Sequence, residues 1–385
     1  YRLNIFGFPA HPNGNYNVAI LDQRMAVEWV RDNIEKFGGD TSRITFFGNS
    51  AGAAAIDYHS YAWASDPIAS AYIIQSGTAF SWGLPKPLSV PAKSWFSISQ
   101  NLGCGNDTTP YDNVLSCMRT KKPEEIYSAY PTAPDSSLLG LFGPTIDNTI
   151  LFANYTEKTP AKLPILVGTT NYEAGYFRAE SSLNGIKLSD TFWTDINLQE
   201  FTCPCSDRAN ASLAANSPVW RYYYMGIFPN LALAPYSGSW HQSELPLLFN
   251  TVPATPPSTP EEDRTAKYIR GAWSKFAKDP QNGLTEFGWP KYDPTQDTLV
   301  RIAYNNSDGP NLINPYRYDA DCPFFNVSST DLSKFGSYPD LGAGVTPTGV
   351  TPTGVLHMPF ATGTGTGMTS PKISIAWIIL LVFYL

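Results

Sequence analysis

The chain has 385 residues, 43% of them apolar, enough to bury a sizeable core in one large domain or two ordinary ones. Its net charge is −7 and no block of Lys or Arg stands out, which argues against nucleic acid as a partner, because phosphate binding needs clustered cations. Charged residues are 15% and aromatic residues 14%, a balance that suits a secreted enzyme with apolar clefts, although aromatics filling a core give the same figure.

In chain order, Tyr1 to Phe8 alternates and breaks at Pro9, the pattern of a strand with nothing before it; an upstream part is expected to be missing. Asp22 to Phe37 reads as a helix with an apolar stripe of Ala26, Val27, Trp29, Val30 and Ile34, stopped by Gly38-Gly39. Ile44 to Phe47 reads as a buried strand, Ala51 to about Trp63 as a helix, and Ala71 to Gln75 and Leu163 to Val167 as short apolar strands. Glu261 to Lys278 is an amphipathic helix burying Ala266, Ile269, Trp273 and Phe276, ended by Asp279-Pro280. Strands alternating with helices predict an α/β fold, a mostly parallel sheet with helices on both faces, over residues 1–335.

Residues 336–371 are rich in Gly, Thr and Pro, with Gly-Val-Thr-Pro-Thr repeated at 344–348 and 349–353, and read as a flexible stalk. Residues 372–385 form an apolar tail. From Ile373 it reaches only about 20 Å as a helix, short of the roughly 30 Å hydrocarbon core, so it fits a lipid-anchor (GPI) addition signal better than a spanning helix. A misread gene end is the alternative. Five cysteines without zinc-ligand spacing imply no metal or cofactor. Together with sequons at Asn106, Asn154, Asn210, Asn305 and Asn326 they lean toward the secretory pathway, hence a secreted or cell-surface protein.

The chemistry concentrates at Gly48-Asn49-Ser50-Ala51-Gly52. A GxSxG run is weak alone, but here the Ser follows a β run and opens a helix, as a nucleophile elbow requires. The Ala51 N–H, at the helix N-terminus, can donate to the oxyanion formed when Ser50 attacks a carbonyl. Ser50 needs a base. Of four histidines, His11 lies in a Pro/Gly/Asn loop, His59 points away on the helix leaving the elbow, and His357 is in the stalk. His241 remains, C-terminal to Ser50 as the Ser, acid, His order demands. For the acid, Glu173 follows the strand ending at Gly168, with Asp147 as competitor.

Together these residues resemble the type-B carboxylesterase/lipase family, the cholinesterase-like branch of α/β hydrolases, and its fungal secreted members in particular. The matching stretches include Leu21 to Glu28, Phe37 through Gly52, Ile74 to Gly77, Val167 to Phe177 and His241 to Phe249, within roughly 1–325. Phe46 departs from the family's usual aliphatic residue, and Ala53 from its common second Gly. The resemblance implies an α/β-hydrolase fold lacking its N-terminal strands, the acid at Glu173, and disulfides Cys104–Cys117 and Cys203–Cys322 with Cys205 free, although Cys203 and Cys205 could trade places. It also implies a Gly-rich oxyanion-hole run upstream of Tyr1. Without it, only the Ala51 donor remains, and the chain as given is expected to fold poorly or be nearly inactive. The implied substrate is a small-molecule or lipid ester, with a membrane surface as a further partner through the anchor. The rivals are a catalytically silent adhesion protein and a lipase acting at oil interfaces, for which no lid can be located.

Overall fold

The computed structural model describes residues 1–130 and 141–322; the stalk, the apolar tail, His357 and Asn326 lie outside the described residues. The described residues fall into two compact units, one of Tyr1–Tyr72 with Thr78–Leu163, the other of Ile73–Gly77 with the chain from Pro164 on. Among the described residues, six strands take the sheet order β1-β2-β3-β4-β5-β6.

The first unit contains α1 (Asn4–Gly7), α2 (Val18–Asn33), β1 (Thr45–Asn49), α3 (Ala51–Ala62), the start of β2 (Ala71–Gln75), α4 (Ser89–Asn101), α5 (Tyr111–Met118) and α6 (Pro123–Ser128). The strand expected over Tyr1 to Phe8 is instead coil and a helical turn. Ile5 and Phe8 are both buried in one cluster with Ala19, Ile20, Tyr58 and Trp95. Positions three apart share a face of a helical turn but not of a strand, so this burial selects the turn. The helical stripe also needs correcting. Burial along α2 runs through Ile20, Arg24, Val27 and Val30, while Trp29 is 56% exposed and Ala26 is exposed. Trp29 sits about 200° around the helix from Val27, on the opposite face. Cys104–Cys117 joins the end of α4 to α5.

The second unit contains the end of β2, then β3 (Ile165–Thr170), α7 (Ala174–Leu183), α8 (Asp190–Asn197), α9 (Cys203–Ala214), β4 (Val219–Tyr224), α10 (Leu245–Phe249), α11 (Pro260–Lys278), α12 (Gly283–Glu286), β5 (Leu299–Ile302), β6 (Pro310–Ile313) and α13 (Tyr316–Asp319). β3, β4 and β5 pair in parallel and β6 closes antiparallel on β5, so the sheet is mostly parallel. Every residue of β4 is buried, and its Trp220 and Tyr222 pack edge-on against Phe276 and Trp273 of α11. Cys203 pairs with Cys322, leaving Cys205 buried and free.

β4 also carries Arg221, a charge with no exposed surface. Its guanidinium donates from both terminal nitrogens to Asp319, Nη2 reaching Oδ1 at 2.8 Å, and the Ser206 hydroxyl donates to Asp319 Oδ2 at 2.8 Å. Two buried charges are tolerable only as such a hydrogen-bonded pair, and removing one member strands the other. Asp319→Ala should therefore lower unfolding free energy by about 3–5 kcal/mol in urea titration; a loss under about 1 kcal/mol would show that the pair does not fasten α13 to β4.

Candidate active site

Ser50 joins β1 to α3 with φ 56° and ψ −128°, a backbone conformation that L-residues rarely hold without support. Support comes from the glycines. A Cβ at Gly48 would lie 2.6 Å from the Gly52 carbonyl and 2.8 Å from Ile56, so the turn closes only around a missing side chain. The Ser50 side chain makes no capping bond to α3, which leaves the first N–H groups of that helix, Ala51 first, free to donate. Phe46, beneath the elbow in β1, packs edge-on against His59 and Tyr72.

The second unit brings Glu173 and His241 together. Glu173 has no exposed surface; its Oε1 accepts the Thr170 N–H at 2.7 Å, and its Oε2 accepts from His241 Nδ1 at 2.5 Å. It stands at the N-terminus of α7, where the helix dipole favours negative charge. The approach depends on Gly175, because a Cβ there would lie 2.0 Å from the Ser237 carbonyl oxygen. The Tyr172 N–H donates to the Ser239 carbonyl at 3.1 Å and fastens the same two loops. His241 is 3% exposed, contrary to the usual exposure of a loop histidine, and packs against the rings of Phe177 and Phe201, with centroids at 5.4 and 5.2 Å. With Nδ1–H given to Glu173, Nε2 keeps its lone pair, and no group among the described residues bonds to it.

The competing residues have other work. Asp147 Oδ1 accepts the backbone N–H groups of Thr149, Ile150 and Leu151, and Oδ2 accepts from Asn17, which makes it the anchor of its own loop. His59 is buried against Phe46 and Trp63, and burial followed by the charge of Arg24 lowers its pKa to about 3, so it stays neutral. His11 is also buried, its Nε2 3.0 Å from the Tyr111 carbonyl.

Sequence reasoning missed a second buried carboxylate three residues after His241. Glu244 is 1% exposed and accepts from Gln75 Nε2 at 2.8 Å, while Gln75 Oε1 accepts from the Trp273 indole at 3.0 Å. Burial, and then the charge of Glu173, raise the Glu244 pKa to about 8. The signal was a glutamine ending the apolar run Ala71 to Ile74, where a buried amide needs a polar partner.

The model of the Carboxylesterase family matches residues 1–202 and 187–320, and the chain belongs to that family. It is 35% identical to secreted lipase 5 of Gibberella zeae over 80% of this chain and 61% of the lipase. It is 34% identical to the chlorogenic acid esterase of Aspergillus niger over 79% of this chain and 62% of that enzyme. Against the acetylcholinesterase of Bungarus fasciatus the identity is 26%, over 78% and 59%. The chain thus spans about three fifths of the length of these relatives.

Glu244 generates a test. Its folded pKa of about 8 stands above the roughly 4.3 of an unfolded glutamate, so the folded state holds the extra proton between those values. The stability from this group is complete below the lower value and is lost as pH rises through the upper one. Thermal melts at about pH 5 and about pH 8.5 should show a fall in Tm that shrinks in Glu244→Gln; an unchanged fall would mean that Glu244 is ionised in the folded protein.

Proposed function

We propose that the protein hydrolyses carboxylic esters through a Ser-His-Glu acyl-enzyme, with Ser50 as nucleophile, His241 as base and Glu173 as its orienting acid. The observation that carries this reading is the buried Glu173–His241 bond at 2.5 Å with Nε2 left free. A strained serine at the N-terminus of α3 supports it. In this mechanism Nε2 takes the Ser50 proton as Oγ attacks the ester carbonyl, and Glu173 stabilises the resulting imidazolium. The Ala51 N–H donates to the tetrahedral oxyanion. His241 then protonates the leaving alcohol, and water repeats the cycle on the acyl-enzyme.

The relatives named lipase and chlorogenic acid esterase favour a small-molecule or lipid ester as substrate. The secreted relative and the two disulfides favour an extracellular protein. We extend this reading to N-glycans on the exposed Asn154 and Asn305, and to a lipid anchor at the C-terminal tail. A silent adhesion protein would have no reason to keep both the Ser50 elbow and the buried Glu173–His241 bond.

A fluorophosphonate probe should label the full-length protein, and Ser50→Ala should abolish the label. Glu173→Gln should lower kcat on p-nitrophenyl esters on the order of 10⁴-fold, the effect of leaving the imidazole in the wrong tautomer. Absence of labelling in the unmodified protein would favour the silent reading.

A further inference from the structure

One loop of the second unit, between α7 and α8, holds apolar side chains out in water. Every residue from 183 to 192 is exposed, and among them Leu183 is 82% exposed, Ile186 52%, Leu188 43% and Phe192 39%. Single exposed apolar residues are ordinary on a protein surface, but four large ones within ten residues form the kind of patch that marks an interaction surface.

The backbone beneath these side chains is fixed at both ends. α7 closes in a left-handed turn at Gly185, φ 74°, where the Ile186 N–H donates to the Ser181 carbonyl at 2.9 Å and the Gly185 N–H to that of Ser182 at 3.1 Å. The residue in the place of Ile186 commonly packs back onto its helix in such a closure, and here it remains half-exposed. At the start of α8 the Ser189 hydroxyl accepts the Phe192 N–H at 3.1 Å, Asp190 pairs with Arg178 of α7 at 2.8 Å, and Trp193 is buried. Both segments leaving the loop lead back to His241. Upstream, α7 begins next to Glu173, about 15 Å along the helix axis from Leu183. Downstream, α8 runs into Leu198–Thr202, whose Phe201 packs against the imidazole.

Size and charge select the occupant. A stable protein interface uses about 20–30 residues a side, and the tip supplies ten, whereas a fluid hydrocarbon surface needs no matching shape. The charged residues of the tip are Lys187 and Asp190, the second already paired, so it lacks the clustered cations that draw a protein to anionic headgroups.

We propose that loop 183–192 inserts into the surface of an electrically neutral lipid phase, with Leu183, Ile186, Leu188 and Phe192 entering the acyl region. The inference rests on the ester-hydrolysis reading for its use, since it sets the protein on the phase that holds water-insoluble esters. Adsorption needs no turnover, so the two can fail separately.

Lys187→Cys coupled to a polarity-sensitive fluorophore tests it in the full chain, because the free Cys205 is buried and stays unlabelled. Adding phosphatidylcholine vesicles should brighten the dye and shift its emission to the blue in a saturable response. Replacing part of the lipid by phosphatidylserine, or raising the salt, should change the half-saturating lipid concentration by less than about threefold. Leu183→Ser combined with Ile186→Ser, both at exposed positions, should raise that concentration roughly tenfold or more. The proposal is overturned if the dye stays in water at millimolar lipid or if the folded double variant responds as its parent does. It is equally overturned if the response needs anionic lipid and salt abolishes it, or if the same change follows protein concentration without lipid, which would make the occupant a second copy.

Discussion

Taking a carboxylate out of water costs several kcal/mol unless hydrogen bonds replace its hydration. Glu173 has no exposed surface, and much of the second unit is arranged to meet that requirement. The β3 terminus offers the Thr170 N–H, the first turn of α7 offers its dipole, and His241 offers its Nδ1 proton. The last of these fixes the imidazole tautomer, and with it the side on which a lone pair remains. Phe177 and Phe201, their own rings 6.0 Å apart, then pack against the imidazole. A satisfied buried acid and an oriented base are thus one arrangement, and perturbing either member disturbs both.

Glu244 is set by the same charge. Burial is the larger cause of its raised pKa and the charge of Glu173 the second, because two carboxyl groups near each other in a low-dielectric interior cannot both ionise cheaply. Glu244 is left protonated and tied through Gln75 to the Trp273 indole on α11. The polar chain from Glu244 to α11 therefore makes a helix remote in sequence part of the His241 surroundings.

The elbow was legible in the sequence because its chemistry is local. Gly48, Ser50 and Gly52 sit within five residues, and the need for a side-chain-free turn is met by the letters themselves. Glu173 was legible as the end of a strand loop, but only the structure shows Gly175 admitting the Ser237 carbonyl, because that contact joins segments about sixty residues apart. Glu244, Arg221 and the strands from β4 on were missed for a related reason. A charge inside an otherwise apolar run makes sense only beside its partner, and for Arg221 the partner lies 98 residues away. Misreading Tyr1 to Phe8 came from the opposite difficulty, since eight residues are too few to separate a period of two from one of three and a half.

The central claim is that Glu173, His241 and Ser50 act as one unit. Proton NMR of the imidazole Nδ1–H shared with Glu173 tests it most directly, followed across pH before and after a fluorophosphonate is added. The account predicts a strongly downfield resonance that is lost in Glu173→Gln. Phosphonylation of Ser50 should move it, because the adduct replaces the hydroxyl whose proton His241 is proposed to take. A resonance indifferent to the probe would contradict the account by showing that Ser50 and His241 are not coupled.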